Sequence, residues 1–316
     1  MSNLIRPCRG VFAPPRLAVI LGVLIACAVA NDQARAQTAT PVASVAAPFV
    51  SDRLSVEVVG AGPDVILIPG FGSSREVWRV EAERLKATHR VHLVQLAGFA
   101  GEPWSHGDGP FVQPVVDDLA RYVREQGLER PAVIGHSLGA LIGLRLAQTH
   151  PEAVGRLMSV DSLPFFGALR GPDMTVETMA PMAEQTVRSI LSLSDDAFRS
   201  AQIAGAQGMT RDPALRERLV AWTTKSDRKA MGAAMKDVFL TDARPGLAAM
   251  RLPVTVLYAA DADGGASAAQ ADRAWGDQYA PLPGATLIRV DGSRHFIMAD
   301  QPERFAELVD GFLAHP

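Results

Sequence analysis

Short apolar runs alternate with amphipathic stretches along most of the chain. Residues 53–60 (RLSVEVVG) alternate apolar and polar positions, which predicts a strand with one face in water, whereas 64–70 (DVILIPG) is continuously apolar, as in a strand buried on both faces. A helix is predicted over 74–88 with Val77, Trp78, Val80 and Leu85 on one side, then a strand over 90–98. An amphipathic helix over 114–127 stops at Gly127 and is followed by a short buried strand over 131–135. The stretch AVIGHSLGALIGLRLA (132–147) changes period in its middle, from strand type through a polar corner to helix type. Residues 155–161 read as another strand, and 253–261, 267–279, 285–296 and 302–314 as strand, helix, strand and helix. Parallel neighbours need crossover connections that helices supply, so the pattern predicts an α/β fold with a mostly parallel, doubly wound sheet.

Residues 162–250 break this rhythm. They hold helical stretches, no convincing strand and seven of the ten methionines, which predicts a helical insertion between two sheet strands. The flexible thioether fills irregular gaps, so each methionine alone reads as core, and together they are compatible with an adaptable apolar pocket. No fixed-period repeat is visible.

The first 36 residues have a different character. Arg6, Arg9 and Arg16 precede the apolar run 17–30 (LAVILGVLIACAVA), and Ala34-Arg35-Ala36 offers a small-x-small cleavage pattern before Gln37. The run is shorter than the ~20 residues that span a bilayer, so residues 1–36 read as a signal peptide and the mature chain is expected to be exported, periplasmic or secreted, with no transmembrane span. LIAC (24–27) also resembles a lipobox, which would instead anchor the chain through a lipid on Cys27. Residues 37–50, rich in Ala, Pro, Thr and Ser, read as a linker, and 51–316 as the folded domain. Cys8 and Cys27 are the only cysteines, so the mature domain contains no disulfide. Removing four Arg and one Asp with the leader leaves 27 basic and 33 acidic residues, a formal −6 against −3 for the whole chain. No polycation remains for nucleic acid or an anionic membrane surface.

The polar corner carries the chemistry. Gly135-His136-Ser137-Leu138-Gly139 has the form G-x-S-x-G between a strand and a helix, where a serine on a strained turn is pushed into the open and side chains beside it would collide with neighbouring elements. The helix that follows directs its N-terminus at the serine, so Leu138 N–H can donate to an oxyanion.

This arrangement resembles the α/β-hydrolase fold superfamily, from about residue 52 to 314, and the resemblance implies a serine hydrolase of esterase type with a helical cap. In that family an early strand ends in a loop giving the second oxyanion donor, here PGFGSSREVW (69–78), with Phe71 N–H in that role and proline at 69 where histidine is usual. His295, in DGSRHFIMADQP, stands after the last strand and before the last helix, the family's place for the base that activates the serine. The other six histidines fall in strands, loops, the elbow or the tail. The acid that orients the base follows the strand after the cap in most members, which favours Asp261 and leaves Asp263 as an alternative; a minority places it one strand earlier, at Asp161. The cap is expected at about 162–250, with Phe165, Phe166, Met174, Met179, Met182 and Trp222 lining an apolar acyl pocket.

These parts serve acyl transfer: attack on an ester-like carbonyl of a small, apolar substrate, an acyl-Ser137 intermediate, then water. No metal or cofactor is called for. The same triad in other members opens lactones, cleaves C–C bonds, transfers acyl groups or runs cofactor-free perhydrolysis, and some members have become non-catalytic ligand binders. Dehalogenases and epoxide hydrolases of the family carry aspartate at the elbow, which Ser137 excludes.

Overall fold

The computed structural model describes residues 48–171, 173–264 and 267–314. The signal-peptide and lipobox segment, most of the linker and His315 lie outside the described residues.

Seven strands form one sheet: β1 (Leu54–Gly60), β2 (Asp64–Ile68), β3 (Arg90–Leu96), β4 (Ala132–His136), β5 (Arg156–Val160), β6 (Val254–Ala260) and β7 (Thr286–Asp291). Their order is β1-β3-β2-β4-β5-β6-β7, and only β1 runs antiparallel to its neighbour. The continuously apolar runs became central strands, because both faces are covered. Ile66 and Ile68 face one apolar core with α2 (Val112–Glu125) and α3 (Leu138–Thr149), while Val65 and Leu67 face the other with α1 (Arg79–Leu85) and α11 (Pro302–Ala314). β1, at the edge, follows the half-exposed alternation of its sequence only at its start, where Leu54 is buried and Ser55 exposed, whereas Val58 further along is exposed. Of the side predicted for the first helix, Trp78 and Leu85 are buried, whereas Val80 faces solvent because a 3-10 turn over Arg75–Trp78 precedes the α-helix and resets the phase.

The insertion consists of α4 (Val176–Ser192), α5 (Asp195–Met209), α6 (Pro213–Lys225), α7 (Arg228–Leu240) and the single turn α8 (Arg244–Leu247). Its corners are fixed by side chains that cap the next helix: Thr175, Ser194, Asp212 and Asp227 each accept backbone N–H bonds in the first turn they precede. Such a cap is typically worth ~1 kcal/mol, so four consecutive ones define where the chain turns. Asp237 on α7 accepts from Phe111 N and Val112 N, both at 2.8 Å, and so fastens the cap to the start of α2. The chain re-enters the sheet at β6, continues through α9 (Ala268–Tyr279) and β7, and closes with the short α10 (Ile297–Asp300) and α11. No helix among the described residues is long and apolar enough to cross a membrane.

The strand order reverses at β2, with β3 on one side and β4 on the other. Ligands of open α/β sheets bind beyond the strand C-termini at such a switch point, and the loop after β2 and the corner after β4 both end there.

Candidate active site

Ser137 joins β4 to α3 with φ 53° and ψ −118°. A non-glycine residue held there carries strain of order 1–3 kcal/mol, so its surroundings must enforce it. They do so by contact: a Cβ on Gly135 would lie 2.3 Å from the Gly139 carbonyl oxygen, and one on Gly139 would lie 2.3 Å from that of Ile68. Only glycine fits at 135 and 139, two residues to either side of the serine, while Ser137 N–H donates to Val160 O at 2.9 Å and ties the corner to β5. Leu138 is the first residue of α3, so its amide has no acceptor within the helix. Gly70 lies against the elbow, with space for a Cβ closed off by His136 and Ser137, and the next residue, Phe71, shares a cavity with Ser137, Leu138 and His295.

His295 follows β7. Its Nδ1 is 2.7 Å from Asp161 Oδ2. Asp161 also has a left-handed backbone, φ 47°, and its other carboxylate oxygen accepts from Ala259 N at 2.9 Å. An ionised carboxylate only accepts, so this contact places the imidazole proton on Nδ1 and leaves Nε2 with its lone pair. Ser137, Asp161 and His295 line the same cavity.

The expectation that favoured Asp261 is corrected here. Asp261 is buried, but its carboxylate accepts from Arg211 Nε at 3.1 Å, Arg211 Nη2 at 2.5 Å and Arg294 Nε at 2.9 Å, and not from His295. Those guanidiniums, Arg211 first, hold its pKa down at about 2, against the opposing cost of burial. Asp263 is exposed and also pairs with Arg211. The histidine's partner is the carboxylate at the end of β5.

His136, fully buried under the site, has its ring centroid 4.5 Å from those of His295 and Phe296. Its Nε2 lies 2.9 Å from the His295 carbonyl oxygen, which can only accept, so Nε2 carries the proton and the partnerless Nδ1 does not. Burial first, then the neighbouring His295, pushes its pKa well down and keeps it neutral. His92 is bound to Tyr122 at 2.7 Å and Asp64 at 2.8 Å, away from the cavity lining.

The cavity has a volume of about 650 Å³ and lies between the sheet and the cap. Of the six residues expected to line it, only Phe166 does. Phe165 and Met179 are fully buried within the cap and packed by Met174 and Met182, while Trp222 packs with Leu215, Leu219 and Phe296. Much of the cap side of the cavity comes instead from α5, through Phe198, Ala201, Gln202, Gly205, Ala206 and Met209, with Leu219 and Thr223 from α6 and Met231 and Met235 from α7. Those α5 positions repeat at three- and four-residue spacing, a helical face that was readable in the sequence. Among the described residues no group of three His, Cys, Asp or Glu is placed to hold a metal ion.

The model of the alpha/beta hydrolase family matches residues 65–308. The chain belongs to this family. This α/β hydrolase is 30% identical over 258 residues to a pimeloyl-[acyl-carrier protein] methyl ester esterase of Edwardsiella ictaluri, covering 80% of the chain and 95% of that protein. It is 28% identical over 199 residues to the protein of the same name from Aliivibrio fischeri, 63% of the chain and 75% of that protein. Among solved structures it resembles a hydrolase from Pseudomonas aeruginosa (TM-score 0.69, 21% identity, 83% and 94% of the two chains). It also resembles the enol-lactonase from Burkholderia xenovorans (TM-score 0.67, 18% identity, 83% and 96%). The chain is thus an α/β-hydrolase enzyme with esterase relatives, while the solved structures speak to the fold alone.

Proposed function

We propose that this hydrolase cleaves neutral carboxylic esters with an apolar acyl group through an acyl-Ser137 intermediate. The observation that carries the reading is the 2.7 Å contact of His295 Nδ1 with Asp161, in one cavity with Ser137 on its strained elbow. Asp161 fixes the tautomer, His295 Nε2 takes the proton of Ser137 Oγ as that oxygen attacks the carbonyl, and the Leu138 and Phe71 amides receive the oxyanion. Collapse expels the alcohol, protonated by His295. Water, deprotonated by the same nitrogen, then attacks the acyl-serine to release the acid and restore Ser137.

The substrate class follows from the wall. Apart from Ser137, the Asp161–His295 pair and neutral His136, the polar groups among the described residues that line the cavity are the side chains of Ser162, Gln202 and Thr223 and the Trp275 indole, with no Lys, Arg or Glu. An ionised acyl tail would lose its hydration there without a counter-charge, whereas an alkyl or aryl chain gains by burial. The test is hydrolysis of p-nitrophenyl esters of increasing acyl length by residues 37–316, beside the Ser137→Ala form. A rate that rises with acyl length and depends on Ser137 is expected; equal rates in both forms would overturn the reading.

Gly205 offers a finer probe, because a Cβ there meets nothing within 4 Å and the residue lines the cavity. Gly205→Leu is expected to cut kcat/KM for the longest accepted ester about 10-fold or more while sparing acetyl esters, since filling space excludes methylenes each worth ~1–3 kcal/mol. An unchanged chain-length profile would remove α5 from the acyl wall.

We also propose that the mature enzyme lies outside the cytoplasm, a reading supported by the Arg-flanked apolar run and the Ala34-Arg35-Ala36 site. N-terminal sequencing of the exported protein is expected to begin at Gln37. A blocked, lipid-modified Cys27 would show the anchored form instead.

A further inference from the structure

His295 sits on a loop, 292–296, that α/β topology alone leaves free between β7 and α10. In this chain the loop is held from several sides. His136 Nε2 donates to His295 O at 2.9 Å from below. Phe296 N donates to Met209 O at 3.1 Å, and Arg294 Nη1 to Gln207 O at 2.6 Å, both acceptors being on the last turn of α5 in the cap.

One carboxylate joins these two sides. Asp300, at the end of α10, accepts from Arg294 N at 2.8 Å through Oδ2, while its Oδ1 accepts from Arg211 N at 2.8 Å and from the fully buried Thr210 Oγ1 at 2.5 Å. Asp261 makes the complementary brace through side chains, accepting from the Arg211 and Arg294 guanidiniums. The same two arginines are therefore bound by one acid through their backbone amides and by the other through their side chains. One of them immediately precedes His295, and the other is in the turn between α5 and α6.

We propose that Asp300 is a positioning residue for His295: it fixes the histidine loop to the α5–α6 corner, so that the cap holds the imidazole in register as well as covering the pocket. The inference rests on the reading of His295 as the base. Hydrogen bonds to an ionised acceptor are about twice as strong as neutral ones, and three of them converge on this side chain. Asp300→Asn keeps the shape but turns one acceptor into a donor, which must face either Arg294 N–H or the Thr210 and Arg211 donors. The link through Asp300 between the loop and the α5–α6 corner is then broken, while the Asp261 brace remains.

The test compares wild type, Asp300→Asn, Thr210→Val and the double variant, with Arg304→Gln, in an exposed ion pair on α11, as control. Misplacing a catalytic group by about 1 Å costs up to ~100-fold, so Asp300→Asn is expected to lower kcat about 10- to 100-fold with KM within about two-fold and the fold intact. Thr210→Val should cost less, and the double variant no more than Asp300→Asn alone, because both act on one attachment. A second readout is independent of turnover: the downfield proton resonance of His295 Nδ1–H, bonded to Asp161, should broaden or move in Asp300→Asn and stay in place in Arg304→Gln. If the wild type hydrolyses no ester, the hydrolase reading falls and the resonance still decides the role of Asp300. A kcat within two-fold of wild type with an unmoved resonance, or a loss confined to KM, would overturn the proposal.

Discussion

Asp161→Asn is expected to lower kcat for ester hydrolysis about 10⁴-fold with little change in KM, the effect of the same replacement in other Ser/His/Asp triads. The amide can still lie 2.7 Å from His295 Nδ1, but it stabilises the wrong tautomer and cannot balance the imidazolium that forms as Ser137 attacks. The Ala259 N–H bond to the other oxygen of Asp161 makes the rotamer that offers its N–H₂ to His295 the favoured one. Asp261→Asn is the informative companion, since it removes charge from a residue bound to Arg211 and Arg294 and should cost roughly 10-fold through the loop, far less than the loss at Asp161. Steady-state kinetics of both variants decide the assignment. A larger loss at Asp261 than at Asp161 would return the acid to the end of β6.

Ser137→Ala carries the largest expected loss, about 10⁶-fold in kcat, as when the nucleophile of such a triad is removed. The backbone at 137 should survive, because the contacts of Gly135 and Gly139 with neighbouring main chain enforce it rather than the hydroxyl. A folded but inert variant is therefore the prediction, checked by circular dichroism beside turnover. Residual rate in it, from the oxyanion donors and binding alone, would still exceed that of water. Loss of less than ~10-fold would mean that another nucleophile does the chemistry.

The elbow was legible in the sequence because the hydrophobic period changes from strand type to helix type across Ser137, and because both flanking positions must be glycine for contact reasons. β2 was legible as an apolar run buried on both faces and β4 as a short buried strand, while β5 was legible only as a strand. The acid was not. Asp161 and Asp261 each stand directly after a buried strand, and nothing local separates them. What separates them is long-range: Arg211, fifty residues before Asp261 in the chain, comes down from the cap and claims it, while the left-handed backbone at 161 turns the other carboxylate towards His295. The pocket wall was missed for a different reason. Large apolar residues were expected to line it, but Phe165 and Met179 fill the cap core, and the cavity persists where α5 presents Ala201, Gly205 and Ala206. Cavities form beside small residues, which a search for hydrophobic bulk passes over.

The covalent step can be caught by acid quenching of the enzyme within its first turnovers of p-nitrophenyl butyrate, followed by intact and peptide mass measurement. A burst of p-nitrophenol close to one per enzyme is expected where deacylation is the slower step, with a butyryl group on the peptide that contains Ser137, absent from the Ser137→Ala protein. A butyryl group found on another residue, or one that persists in Ser137→Ala at the wild-type rate, would contradict an acyl-Ser137 intermediate.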